Sequence, residues 1–169
     1  MLRSSINLLA RICGYLAAFF LAGIAIATFA QIVARQMGTP IETTELPGFF
    51  LAASTFLGLA YTFVNGVHVR IGLVSEFAPQ TMRRAVELWA CLIGALIIGY
   101  AAYHMTRFTA ESYRFGDLSP GFMAVPLWIP QSAVSFGLGV MFLSMLEQLT
   151  LVATGRVPDY ETNKDSAVE

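Results

Sequence analysis

Four long apolar runs, Ile12–Ala34, Leu46–Val67, Ala85–Met105 and Leu127–Ala153, fill most of this 169-residue chain, and none has a charged side chain near its middle. Each reaches or exceeds the roughly 20 residues a helix needs to cross a hydrocarbon core ~30 Å thick. The pattern predicts an all-α membrane protein: one domain, residues 1–155, of four transmembrane helices in a small bundle. Residues 156–169 are expected to form a short disordered tail, being polar and acidic with few groups to bury. The absence of mid-span charge constrains function as well. Ion sites, proton relays and charged-substrate paths need ionisable groups at that depth. A chain of this kind reads as a support beside another protein rather than as a solute carrier by itself.

Composition excludes several other classes. The formal net charge is -1, which gives no electrostatic case for nucleic-acid binding. Cys13 and Cys91 fall inside apolar runs without disulfide or metal spacing, and read as small hydrophobes. The run after Arg11 is longer than the ~7–15 apolar residues of a signal peptide, so the first span is expected to be retained. No nucleophile elbow, phosphate-cradling glycine loop or metal-ligand cluster is visible, so no enzymatic activity and no cofactor or metal are expected.

Charge also predicts orientation. Arg3, Arg11, Arg70, Arg83, Arg84, Arg156 and Lys164 flank one side of the four spans, against Arg35, Arg107 and Arg114 on the other. The positive-inside rule then places both termini and the middle loop in the cytoplasm. Within the spans, small residues four apart suggest close helix packing. They are Gly14, Ala18, Ala22, Ala30 and Ala34 in the first span, and Gly48, Ala52 and Ala60 in the second. Cys91, Ala95 and Gly99 mark the third, and Ala133 and Gly137 the fourth. Such stripes fit an internal bundle and a docking face equally.

Polar groups concentrate near the span ends. Arg35 and Glu45 flank the first loop, either as an ion pair fixing the turn or as two solvated charges. His68 and Arg70 follow the second span, where a cation meets the carbonyl end of a helix. Glu147 is expected near the cytoplasmic interface with a structural partner such as Arg11 or Arg156. Trp89, Tyr100, Tyr103, Tyr113 and Trp128 suit interfacial anchors. The third loop, Thr106–Pro126, is long for a helix connection. Either it lies along the membrane surface, or the third helix continues past the bilayer as far as Arg114. Pro126 and Pro130 mark the start of the fourth helix.

Three segments together carry a resemblance: Arg35 followed by Pro40 and Thr44-Glu45; Gly58-Leu59-Ala60 continuing to Asn65-Gly66-Val67-His68-Val69-Arg70-Ile71; and Pro126-Leu127-Trp128-Ile129-Pro130. With four spans and this length, the chain resembles the small membrane subunit of tripartite ATP-independent periplasmic (TRAP) transporters. It departs from the family pattern at Leu46, where a second acid is common, and at Gly72, where an acid often follows the arginine. The resemblance implies a bacterial inner-membrane protein working with a large multispanning permease subunit and a periplasmic substrate-binding protein. It also implies symport of an organic acid (a dicarboxylate, keto acid or sugar acid), with the coupling ion, sodium, held on the large subunit. Arg35, Glu45, His68, Arg70, Pro126, Trp128, Pro130 and Glu147 then become subunit-interface or structural candidates, and Tyr113 and Phe122 candidates for binding-protein docking. Besides a stand-alone small exporter, which would place an acidic residue inside a span, two rival readings are the small subunit of another tripartite organic-acid system and a haem-binding anchor. The second is disfavoured because His68 and His104 are expected at opposite ends of the membrane.

Overall fold

The computed structural model describes residues 2–38, 45–64, 80–121 and 123–154. Within them lie four helices: α1 (Leu2–Gln36), α2 (Glu45–Val64), α3 (Gln80–Phe115) and α4 (Trp128–Ala153). All four contain a stretch long and apolar enough to cross a membrane. Pro40, Thr44, His68, Arg70, Phe122 and the tail from residue 156 onward lie outside the described residues, as do the side chains of Arg3, Arg83, Arg84 and Glu87.

The third apolar run is the middle of a longer element. α3 continues ten residues beyond Met105 to Phe115, so the third connection shrinks to residues 116–127, and Arg107 through Arg114 belong to the helix. A Schellman-type stop ends the helix. Gly116 adopts φ 67°, a left-handed conformation that glycine takes without a Cβ clash, and the Asp117 amide turns back to the Ser112 carbonyl at 3.1 Å.

α1 packs on α2, α2 on α4, and α4 on α3, while α1 touches α4 only narrowly. α4 is thus the central element and α1 and α3 stand at the two ends. The physical reason is where the small residues fall. Gly137 of α4 lies against the Phe56–Leu57 backbone of α2, where an added Cβ would come within 2.5 Å of the Phe56 carbonyl oxygen. Gly99 of α3 receives the Phe142 ring, and Gly14 and Gly23 of α1 receive the rings of Tyr61 and Phe50. In each case a missing side chain lets a large one, or a backbone, approach closely.

The stripes read from sequence hold on α3 and α4 but shift on α1 and α2. On α1 the buried residues are Ile6, Ala10, Cys13 and Ala34, so of the stripe Ala34 is buried and Gly14 faces Tyr61, whereas Ala18, Ala22 and Ala30 are exposed. On α2 it is Ala53, Leu57, Ala60 and Val64, with Gly48 exposed. A strict four-residue step drifts around a helix of 3.6 residues per turn, so over several turns it leaves the contact face. Cys13, Ala53, Leu57, Ala60, Val140 and Met141 form one core cluster joining α1, α2 and α4. Ala102, Val134 and Leu138 form a second, which joins α3 and α4 to Ala52 and Phe56 of α2.

Candidate functional site

A cluster of polar contacts lies at the start of α2 and the connection between α3 and α4. Glu45 is the first residue of α2. There its carboxylate lies beside the unpaired amides and positive dipole end of its own helix, a favourable position for an anion. The carboxylate is also engaged from outside its own helix. The Ser119 hydroxyl, from the third connection, donates to Glu45 Oε2 at 2.7 Å. Ser119 is buried, 7% exposed, so this charge-assisted bond satisfies a hydroxyl that water does not reach.

The third connection is folded to present that hydroxyl. Its two sides run antiparallel, with a single bridge between Leu118 and Pro126. The Ser119 amide donates to the Val125 carbonyl at 2.9 Å, and the Leu127 amide to Asp117 at 3.0 Å. Gly121, at the tip, lies directly over Glu45, and a Cβ there would fall on the carboxylate. The next turn is tight, with the Ala124 amide donating to the Gly121 carbonyl and Ala124 at φ 44°. Residues 116–127 therefore form a clasp latched onto α2 rather than a loose loop.

The sequence-derived candidates take definite places around this clasp. Pro126 closes the bridge, and its carbonyl accepts the Ile129 amide at 3.2 Å. Pro130 sits in the first turn of α4, which has no side-chain cap. Having no N–H of its own, it leaves one fewer donor unpaired there. Trp128 and Tyr113 meet edge-on, with ring centroids 5.5 Å apart and planes at 89°, pinning the end of α3 to the start of α4. One turn deeper, Thr109 Oγ1 and Ser135 Oγ are 3.1 Å apart across the same pair of helices.

Other candidates lie apart from it. Arg35 is exposed at the end of α1, and on α3 Arg107 pairs with Glu111 at 3.5 Å. Of the two readings for Arg35 and Glu45, the carboxylate is engaged, but by Ser119. Glu147 is half-buried near the far end of α4, and its carbonyl accepts the Thr150 hydroxyl at 2.7 Å. His104 is exposed on α3, its ring 4.3 Å from that of Tyr100. Phe122, His68 and Arg70 fall outside the described residues.

Ser119 and Gly121 were missed by sequence reasoning. The Ser119-Pro120-Gly121 tripeptide is a visible turn signal. Its partner Glu45 is 74 residues away, and nothing local announces that contact. Among its described residues the clasp makes the Ser119–Glu45 bond and the backbone bonds given above. Its bonds hold helix ends in register, which is a structural task.

Comparison with known proteins gives this arrangement its context. Residues 24–155 match the family described as "Tripartite ATP-independent periplasmic transporters, DctQ component". A curated relative is the "Ectoine TRAP transporter small permease protein TeaB" of Halomonas elongata, 23% identical over 124 residues. The match covers 70% of this chain and 64% of the relative, so it spans somewhat under two thirds of that protein's length. The family match over most of the chain, with four apolar helices, makes this a multi-pass protein of the bacterial inner membrane. The chain belongs to the DctQ family, the small membrane components of TRAP transporters.

Proposed function

We propose that this chain is the fixed small subunit of a three-part uptake system, supporting a large permease subunit in the bilayer while that subunit carries the solute and its coupling ion, sodium. The observation that carries this reading is the chemistry of the buried interior. Among the described residues the buried polar side chains are Ser112, Ser119, Ser144 and Gln148, and none is ionisable. A route for an ion or a charged solute through these helices has no charged ligand to offer. The end helices supply surface instead. α1 exposes Tyr15, Phe19, Ile26 and Phe29, and α3 exposes Trp89, Leu96, Ile97 and Tyr100, all between 65% and 79% except Ile97 at 61%. Such faces suit lipid and a larger apolar neighbour.

With both termini in the cytoplasm, the latched cap faces the periplasm, and Tyr113, 67% exposed on the α3 extension, becomes a contact for the binding protein. The solute is a small organic compound. The family resemblance suggests an organic acid, and the relative's name gives ectoine. The test is reconstitution of the large subunit and binding protein with and without this chain. Uptake that needs all three, with no flux through this chain alone, supports the reading. Flux through this chain alone overturns it.

A further inference from the structure

The apolar belts of the four helices do not lie at one height. On α4, Gly137 is near the midpoint between Trp128 and Glu147, and it packs on Phe56–Leu57, near the midpoint of α2. Those two belts coincide. On α1 the uncharged stretch between Arg11 and Arg35 is centred on Gly23, yet Gly23 packs against Phe50. That contact lies about six residues, or ~9 Å at 1.5 Å per residue, toward the side bearing the first and third loops. On α3 the stretch between Glu87 and Arg107 is centred on Ile97. Its neighbours Gly94 and Gly99 pack against Met145 and Phe142, again about six residues or ~9 Å from Gly137, but toward the opposite side.

The shift therefore runs in one sense across the assembly, from α1 through α2 and α4 to α3. We propose that the four helices are embedded together at a slant, α1 displaced toward one membrane face and α3 toward the other, so that all four belts fall within a single hydrocarbon layer. With contacts running α1–α2–α4–α3 and a narrow one from α1 to α4, two to three packing steps of about 9 Å lie between the end helices, ~18–27 Å. A total offset of ~18 Å over that width corresponds to a slant of roughly 40°, the upper end of the ~0–40° range of membrane helices. Helix lengths agree. α1 has 35 residues, and at 1.5 Å per residue its ~52 Å axis, slanted by roughly 40°, spans ~40 Å, the thickness of a bilayer with its headgroups.

Upright embedding fails on charge. Thr109 is bonded to Ser135, and Gly99 packs on Phe142, so Arg107 stands within about four residues, or ~6 Å, of the level of Gly137. An upright assembly would hold the exposed Arg107–Glu111 pair near the bilayer midplane, 60% and 51% accessible to lipid. The slant lifts the last turns of α3 into water, and lowers the first turns of α1 into water on the other face. It needs no partner chain and does not depend on which face is cytoplasmic.

Cysteine labelling of the full chain in native membranes tests it, in a Cys13→Ala, Cys91→Ala background with a membrane-impermeant maleimide offered to each face. Slanted embedding makes Ala110→Cys reactive and Ala30→Cys unreactive on the loop-bearing face, and Leu8→Cys reactive and Leu92→Cys unreactive on the other. Upright embedding places Ala30 closer to the surface than Ala110 and Leu92 no deeper than Leu8. Labelling of Ala30→Cys as fast as Ala110→Cys, or of Leu92→Cys as fast as Leu8→Cys, overturns the proposal. So does an unreactive Ala110→Cys that labels fully once the membrane is dissolved in detergent.

Discussion

Removing the carboxylate of Glu45 should release the clasp while leaving the helices assembled. In Glu45→Ala the Ser119 hydroxyl, 7% exposed, loses its acceptor. A hydrogen bond to a charged group contributes about 1.5–3 kcal/mol. The favourable placement of an anion at the α2 N-terminus contributes about 0.3–1 kcal/mol more. The expected loss is thus about 2–4 kcal/mol, concentrated in residues 116–127, because neither of the two core clusters that join the helices includes Glu45. Hydrogen exchange should show it as faster exchange of the Ser119 and Leu127 amides, whose acceptors are Val125 and Asp117 within the clasp. The amides in the middle of α4 should be unaffected. A double-mutant cycle with Ser119→Ala isolates the pair, with an expected coupling of about 1.5–3 kcal/mol. Glu45→Gln, which keeps an acceptor without the charge, should fall between wild type and Glu45→Ala. Unchanged exchange at Ser119 and Leu127 in Glu45→Ala, or a coupling near zero, would refute the latch.

Three further outcomes follow from the packing. Gly137→Ala places a Cβ against the Phe56 backbone and should destabilise by about 1–3 kcal/mol, because backbone cannot rotate away. Gly139→Ala, with nothing within 4 Å of the new Cβ, should be neutral or slightly stabilising in detergent thermal unfolding, and equal effects would contradict the assigned contact. Ser135→Ala should cost under ~1 kcal/mol, since Thr109 keeps its 2.8 Å bond to the Met105 carbonyl; a larger loss of stability would show that the Thr109–Ser135 bond does more than align α3. A photocrosslinker at Tyr113 should capture the binding protein during uptake, while the same probe at Tyr15 on α1 should not; silence at Tyr113 with uptake intact would remove it from the docking surface.

The chain order of residues was enough to establish four membrane helices and the family, because both depend on local quantities. Apolar run length sets whether a segment can cross lipid, and the Pro-x-Trp-x-Pro segment at Pro126–Pro130 is contiguous. The end of α3 was harder to read. Charges at Arg107, Glu111 and Arg114 look like a loop to a hydropathy argument, yet they continue the helix, since helix formation depends on backbone bonding and not on staying in lipid. Gly116, which stops it, was the local signal available.

Tertiary structure alone decided which face of each helix is inside and what Glu45 does. Ala18, Ala22 and Ala30 have the composition of a contact stripe and lie exposed, because burial depends on which helix arrives opposite, and that is fixed by Gly137, Gly99 and Gly23 meeting bulk on their neighbours. Glu45 sits next to Arg35 in loop terms but bonds to Ser119, brought from across the chain by the packing of α4 beside α2. Sequence specifies each helix through its own solvent preference. Relative height, neighbour order and long-range hydrogen bonds arise only when side-chain shapes from distant segments exclude one another in space.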